Sequence, residues 1–93
     1  MKACEVVLYQ GKKIVIVDIS QTTPEEAIAY FPHAQAIIAQ FQPKSALILT
    51  DAVNARFSRE SMEALKGFAA ANTPYVKASA SVGQYPILSG EAL

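Results

Sequence analysis

Two short runs in this chain are apolar at every position: Ile14-Val15-Ile16-Val17 and Ala46-Leu47-Ile48-Leu49. Side chains alternate across a strand, so a run with no polar member expects apolar surroundings on both of its faces. Such runs belong inside a sheet rather than at its rim. The residues between them carry a helical pattern. A strand–helix–strand unit makes its two strands parallel, joined by a right-handed crossover. These two runs alone commit the chain to an α/β fold.

The flanking segments extend that core. Val6-Val7-Leu8-Tyr9 precedes the first run across Gln10-Gly11-Lys12-Lys13, and Gly11 can adopt the positive φ of a hairpin turn. Asp18 ends the second strand. Thr23, Pro24 and Glu26 together make a helix start: a cap, a first-position proline and a capping-box carboxylate. Ala27, Phe31, Ala34, Ile38 and Phe41 then form one apolar stripe. Pro32 interrupts it and predicts a kink or two abutting helical pieces. A second helix over 58–72 begins at the cap Ser58, with Met62, Leu65, Phe68 and Ala69 inward, and stops at Asn72-Thr73-Pro74. Residues 75–82 alternate: Val76, Ala78, Ala80 and Val82 face one way, and Tyr75, Lys77, Ser79 and Ser81 the other, as on an edge strand. After Gly83 the pattern fades. The expected order is β-β-α-β-α-β, a mixed sheet of about four strands with parallel central strands and helices packed on it, in a single domain over 1–93.

Composition narrows the function. Eight basic and eight acidic residues cancel, and no basic run appears, which argues against a nucleic-acid ligand. The hydrophobic fraction of 52% exceeds what disorder allows and leaves apolar surface for a partner subunit. Glu5 breaks the first apolar run, so no secretory signal is expected, and no stretch reaches the length of a membrane span. Cys4 is the only cysteine, reads as an early strand residue, and fits a reducing cytoplasm. His33 has no second ligand at metal-binding spacing, and no nucleophile–base pair is visible. No cofactor, metal or catalytic group is expected.

Three stretches carry a family resemblance: Leu49-Thr50-Asp51 through Asn54-Ala55-Arg56-Phe57, Glu63-Ala64-Leu65-Lys66-Gly67-Phe68-Ala69, and Asn72-Thr73-Pro74-Tyr75-Val76-Lys77-Ala78-Ser79-Ala80. They resemble small bacterial STAS-like proteins, the group that includes anti-sigma-factor antagonists. The likeness covers roughly residues 12–83. It implies a non-enzymatic module that binds a protein, such as an anti-sigma factor or kinase-like protein, with a phosphoacceptor at the start of the second helix. Ser58-Arg59-Glu60-Ser61 occupies that place here, with Arg59 on the acceptor position and Ser58 and Ser61 beside it. The relatives also continue beyond Val82-Gly83 into further elements. A shortened sheet implies an open apolar face, which a second copy or a partner protein covers.

The residues expected at a partner-binding or regulatory site are therefore Asp51, Asn54, Arg56, Phe57, Ser58 and Arg59, with Ser58 and Ser61 as candidate phosphosites. Phosphate suits a helix start, where free N–H groups and the helix dipole favour negative charge. Asp18 and Asp51 end adjacent strands, where ligands of open α/β sheets bind, yet loop capping is the simpler role for them. The alternative function is a small-molecule or lipid carrier, which predicts an enclosed apolar cavity near Ile38, Phe41 and Phe68.

Overall fold

A two-residue turn starts the sheet. Strand β1 (Glu5–Tyr9) runs antiparallel to β2 (Lys12–Asp18), and Gln10 and Gly11 between them have φ of 51° and 77°. Two successive left-handed residues form the type I′ turn whose twist matches a hairpin. The turn is tighter than the sequence implied, because Lys12 and Lys13 belong to the strand. The computed structural model describes residues 4–83; the tail beyond Gly83 lies outside them.

Helix α1 (Pro24–Ile38) opens with the expected capping box. The Glu26 backbone N–H donates to Thr23 Oγ1 at 3.2 Å, and the Thr23 N–H donates to Glu26 Oε1 at 2.8 Å. Of the two forms expected at Pro32, a kink or two abutting pieces, the second does not occur: α1 runs on through Pro32 as one helix. Pro32 is exposed, so water can hydrate the Ile28 carbonyl that a proline nitrogen cannot serve.

Strand β3 (Ala46–Asp51), helix α2 (Arg59–Asn72), a short 3-10 turn (Thr73–Tyr75) and β4 (Val76–Val82) complete the described chain. The sheet order is β1-β2-β3-β4, with β2, β3 and β4 parallel. This is the α/β mixed sheet expected from the β-β-α-β-α-β pattern.

Both helices press on one face of that sheet. Val15, Val17, Ala46 and Ile48 point into a core with Ala27, Phe31, Ala34, Ile38, Leu65 and Phe68. The Phe31 and Phe68 rings stack at 4.9 Å between the helices. The expectation that the apolar runs are covered on both faces fails. Ile14, Ile16, Leu47 and Leu49 on the opposite face are only partly buried, and among the described residues no helix lies over them.

Two further expectations need correction. In α2, Ala69 is exposed, while Ser61 and Asn72 lie on the buried side. In β4 the register shifts between Ala46 and Leu47: Val76 pairs with Ala46, but Ala78 pairs with Leu47. Lys77 is the extra residue of this bulge. Val76 therefore turns toward the helices and packs against the core, whereas Ala78, Ala80 and Val82 share the open face. Tyr75 belongs to the 3-10 turn and not to the strand.

Candidate functional site

The carboxyl ends of β2, β3 and β4 meet at one rim of the sheet. Asp18 pairs with Asp51, and Asp51 with Val82. Each aspartate serves its own turn. Asp18 Oδ1 accepts from the Ser20 backbone N–H at 3.0 Å and the Ser20 hydroxyl at 2.7 Å; Asp51 Oδ1 accepts from the Val53 N–H at 3.1 Å. A carboxylate that caps the residue two positions on is a turn device. Among the described residues, no three His, Cys, Asp or Glu side chains gather as a metal site would require.

Residues 52–58 form the loop that leads from β3 into α2, and main-chain bonds hold it on several sides. The Ala52 N–H donates to the Val82 carbonyl at 2.9 Å, the Ala55 N–H to Ala52 at 3.1 Å, and the Arg56 N–H to Thr22 at 3.0 Å. Its Val53 carbonyl accepts from the Gln21 N–H at 2.9 Å. Ala52 and Ala55 are buried and plug the loop onto the core. Asn54 takes the left-handed conformation at φ 59°, which asparagine tolerates better than most residues. Gly83 closes this corner: its φ is 136°, and a Cβ there would stand 2.8 Å from the Ala52 carbonyl carbon. Only glycine fits so close to another backbone.

The result is a braced loop with polar side chains outward. Asn54, Arg56, Ser58 and Arg59 are exposed, while Asp51 and Phe57 are partly buried, Phe57 against the core. The structure thus brings the sequence-predicted residues together on one rim.

Ser58 and Ser61 have different situations. Ser58 Oγ accepts from the Ser61 N–H at 3.0 Å, and Ser61 Oγ accepts from the Ser58 N–H at 2.8 Å, a capping box with serine at the third helical position. Ser61 is fully buried; Ser58 is exposed. Of the two candidate phosphosites, only Ser58 presents itself to solvent.

Electrostatics at this end follow from the same contacts. The Thr23 backbone N–H, and then its hydroxyl, hold the Glu26 carboxyl below its usual pKa, with a smaller push from the Arg56 guanidinium. Burial raises the Tyr30 phenol well above its ordinary value, and its oxygen accepts the Asp18 N–H at 2.9 Å. Burial likewise pushes the Cys4 thiol up, against a hydrogen bond from Tyr30. Cys4 precedes β1, and a raised thiol pKa is the opposite of a reactive cysteine.

Sequence reasoning missed Thr22, which is buried, donates its hydroxyl to the Ile19 carbonyl at 2.8 Å and braces Arg56 through its own carbonyl. It also missed Ala52 and Ala55 as loop plugs. Their spacing, two alanines three apart in the loop, was the available signal.

A separate groove of about 760 Å³ lies at the opposite end of the sheet, where β2 begins. Val6, Ile37, Phe41 and Leu47 line it together with Lys12, Lys13 and Lys77. Ile38 and Phe68, expected to line a carrier cavity, are instead packed in the core. No family model matches the chain, no curated protein matches it, and no solved structure does.

Proposed function

We propose that this chain is a non-catalytic, STAS-like regulatory module, cytoplasmic and self-associating, that binds a protein partner through the rim formed by Asp51, Asn54, Arg56, Phe57, Ser58 and Arg59. The partner class implied by the resemblance is an anti-sigma-factor or kinase-like protein. The observation that carries the reading is the braced loop. Its backbone is tied to β4 and to the turn after β2, so the main chain that carries these side chains has little conformational freedom left to lose on binding. Ser58 adds a switch. A phosphate on the Ser58 hydroxyl, which caps α2 by accepting from the Ser61 N–H, would bring nearly two negative charges to the start of that helix, between Arg56 and Arg59 in the sequence.

The test is affinity capture from the native host with the wild-type chain and with Arg56→Glu/Arg59→Glu, followed by identification of what is retained. A regulatory protein held only by the wild type supports the reading. Equal retention by a folded double variant removes this rim from the interface. Intact-mass and peptide analysis of the captured protein checks phosphate on Ser58.

The groove favours a second reading, a carrier for an amphipathic anion, because apolar walls and three lysines suit an acyl chain ending in a carboxylate. Native mass spectrometry that finds no co-purifying small molecule, together with no binding of a fluorescent fatty acid, would sink it.

A further inference from the structure

The two edges of the sheet are built differently. Edge strand β4 carries a bulge and Lys77, devices that discourage further strand pairing. Edge strand β1 has neither, and its one charge is Glu5 at its first position. It is exposed along its whole length, and its side chains include Val6 at 45%, Val7 at 38%, Leu8 at 72% and Tyr9 at 60% exposure. An unprotected apolar edge in a folded protein calls for a strand partner.

We infer that β1 pairs antiparallel with β1 of a second copy about a twofold axis at Val7, joining two four-stranded sheets into one continuous sheet. This rests on the self-association included in the functional reading above and specifies its surface.

The register follows from the hairpin. In a two-residue hairpin the residues flanking the turn, Tyr9 and Lys12, form a hydrogen-bonded pair, and such pairs alternate along the ladder. Glu5, Val7 and Tyr9 thus direct their N–H and C=O groups toward β2, while Val6 and Leu8 direct theirs outward. A twofold centred on Val7 sets Val6 opposite Leu8 of the second copy and Leu8 opposite its Val6. Each such pair exchanges both of its main-chain bonds. This centre uses every residue of β1; a centre on Val6 or Leu8 would leave one end unpaired.

The side chains agree with that register. On the helix side, Val6 and Leu8 meet their counterparts and form an apolar strip. On the other side, Glu5 of one copy lies beside Tyr9 of its mate, with Lys12 one strand further on, so opposite charges stand about 10 Å apart across the tyrosine at both ends of the ladder. The chain's formal net charge of zero opposes no such approach. A twofold pairing also closes on itself, leaving the protected β4 edges at both ends of the joint sheet.

Three measurements on the purified chain test this. Light scattering with size-exclusion chromatography should give a dimer, and Leu8→Lys, at a side chain already largely in water, should weaken self-association by about tenfold or more. Val7→Cys in a Cys4→Ser background should form an intermolecular disulfide under mild oxidation, since a non-hydrogen-bonded antiparallel pair brings Cα atoms to about 4.5 Å; Val82→Cys in the same background should not. Amide exchange should protect Val6 and Leu8 in the dimer and expose them in Leu8→Lys, with Val7 and Tyr9 protected in both. A dimer that survives Leu8→Lys and does not cross-link at Val7 overturns the β1 interface while leaving self-association standing. A monomer at every concentration overturns both. Protection of Val6 and Leu8 only when a different protein is bound overturns the second copy as the occupant.

Discussion

The two faces of the sheet are made from the same strands yet live in different surroundings. On one face Val15, Val17, Ala46 and Ile48 are at most 8% exposed beneath two helices. On the other, Ile14, Ile16, Leu47 and Leu49 alternate with them along the same backbone and remain partly accessible. Residue type alone does not distinguish the sets, since both are β-branched or aliphatic. What separates them is topology. Sequential β-α-β units moving in one direction across the sheet place their helices on one side, so one face becomes the core and the other remains available. Stability is concentrated in the first, while the second keeps apolar side chains partly accessible to solvent.

The sharpest test of that division is in the helix layer. Phe68→Ala removes a buried ring stacked on Phe31 and should cost about 3–5 kcal/mol in denaturant unfolding. A loss under about 1 kcal/mol would mean that the helices do not form the core. Next comes a matched pair on adjacent residues of β2. Val17→Thr keeps shape but buries a hydroxyl, at about 1–3 kcal/mol. Ile16→Thr places its hydroxyl on the accessible face and should cost less than about 1 kcal/mol. Equal losses would show that something covers the second face in solution. The smallest effect concerns the rim of the covered side, where α1 begins. Glu26 has its pKa lowered by Thr23, so its contribution is complete above the unfolded value of about 4.3 and is lost as pH falls through the lower folded value. The stability advantage of wild type over Glu26→Gln should shrink on acidification from about pH 7 to about pH 3. An advantage that stays constant would remove the capping carboxylate from the account.

Much of the fold was legible because its signals are local. The two apolar runs, Thr23 with Glu26 and the cap at Ser58 each act within a few residues, and each stands where the pattern put it. The misses share a different cause. Burial of Ala52 and Ala55 arises from a loop folding against distant segments. The bulge at Lys77 depends on how β4 meets β3, and alternation in β4 alone cannot reveal a register shift. The open face was misread in the apolar runs themselves, because a strand's composition states what cover it can accept and not what cover the described residues provide. For the candidate loop, the run of side chains is local in the sequence and the bracing is not: the Thr22 and Val82 carbonyls that accept the loop's N–H groups belong to other segments.

The strand order itself has a consequence for how the molecule assembles. Every strand neighbours the strand that precedes it in the chain, so no strand must slide between two that are already paired. The hairpin closed by Gln10 and Gly11 needs only a two-residue loop, whereas each parallel pairing waits for a helix to span the gap. Growth can run from the hairpin outward, with β4 docking last. On this route a change that weakens the turn slows folding, and one that weakens β4 chiefly speeds unfolding, a distinction that a pair of chevron plots reads directly.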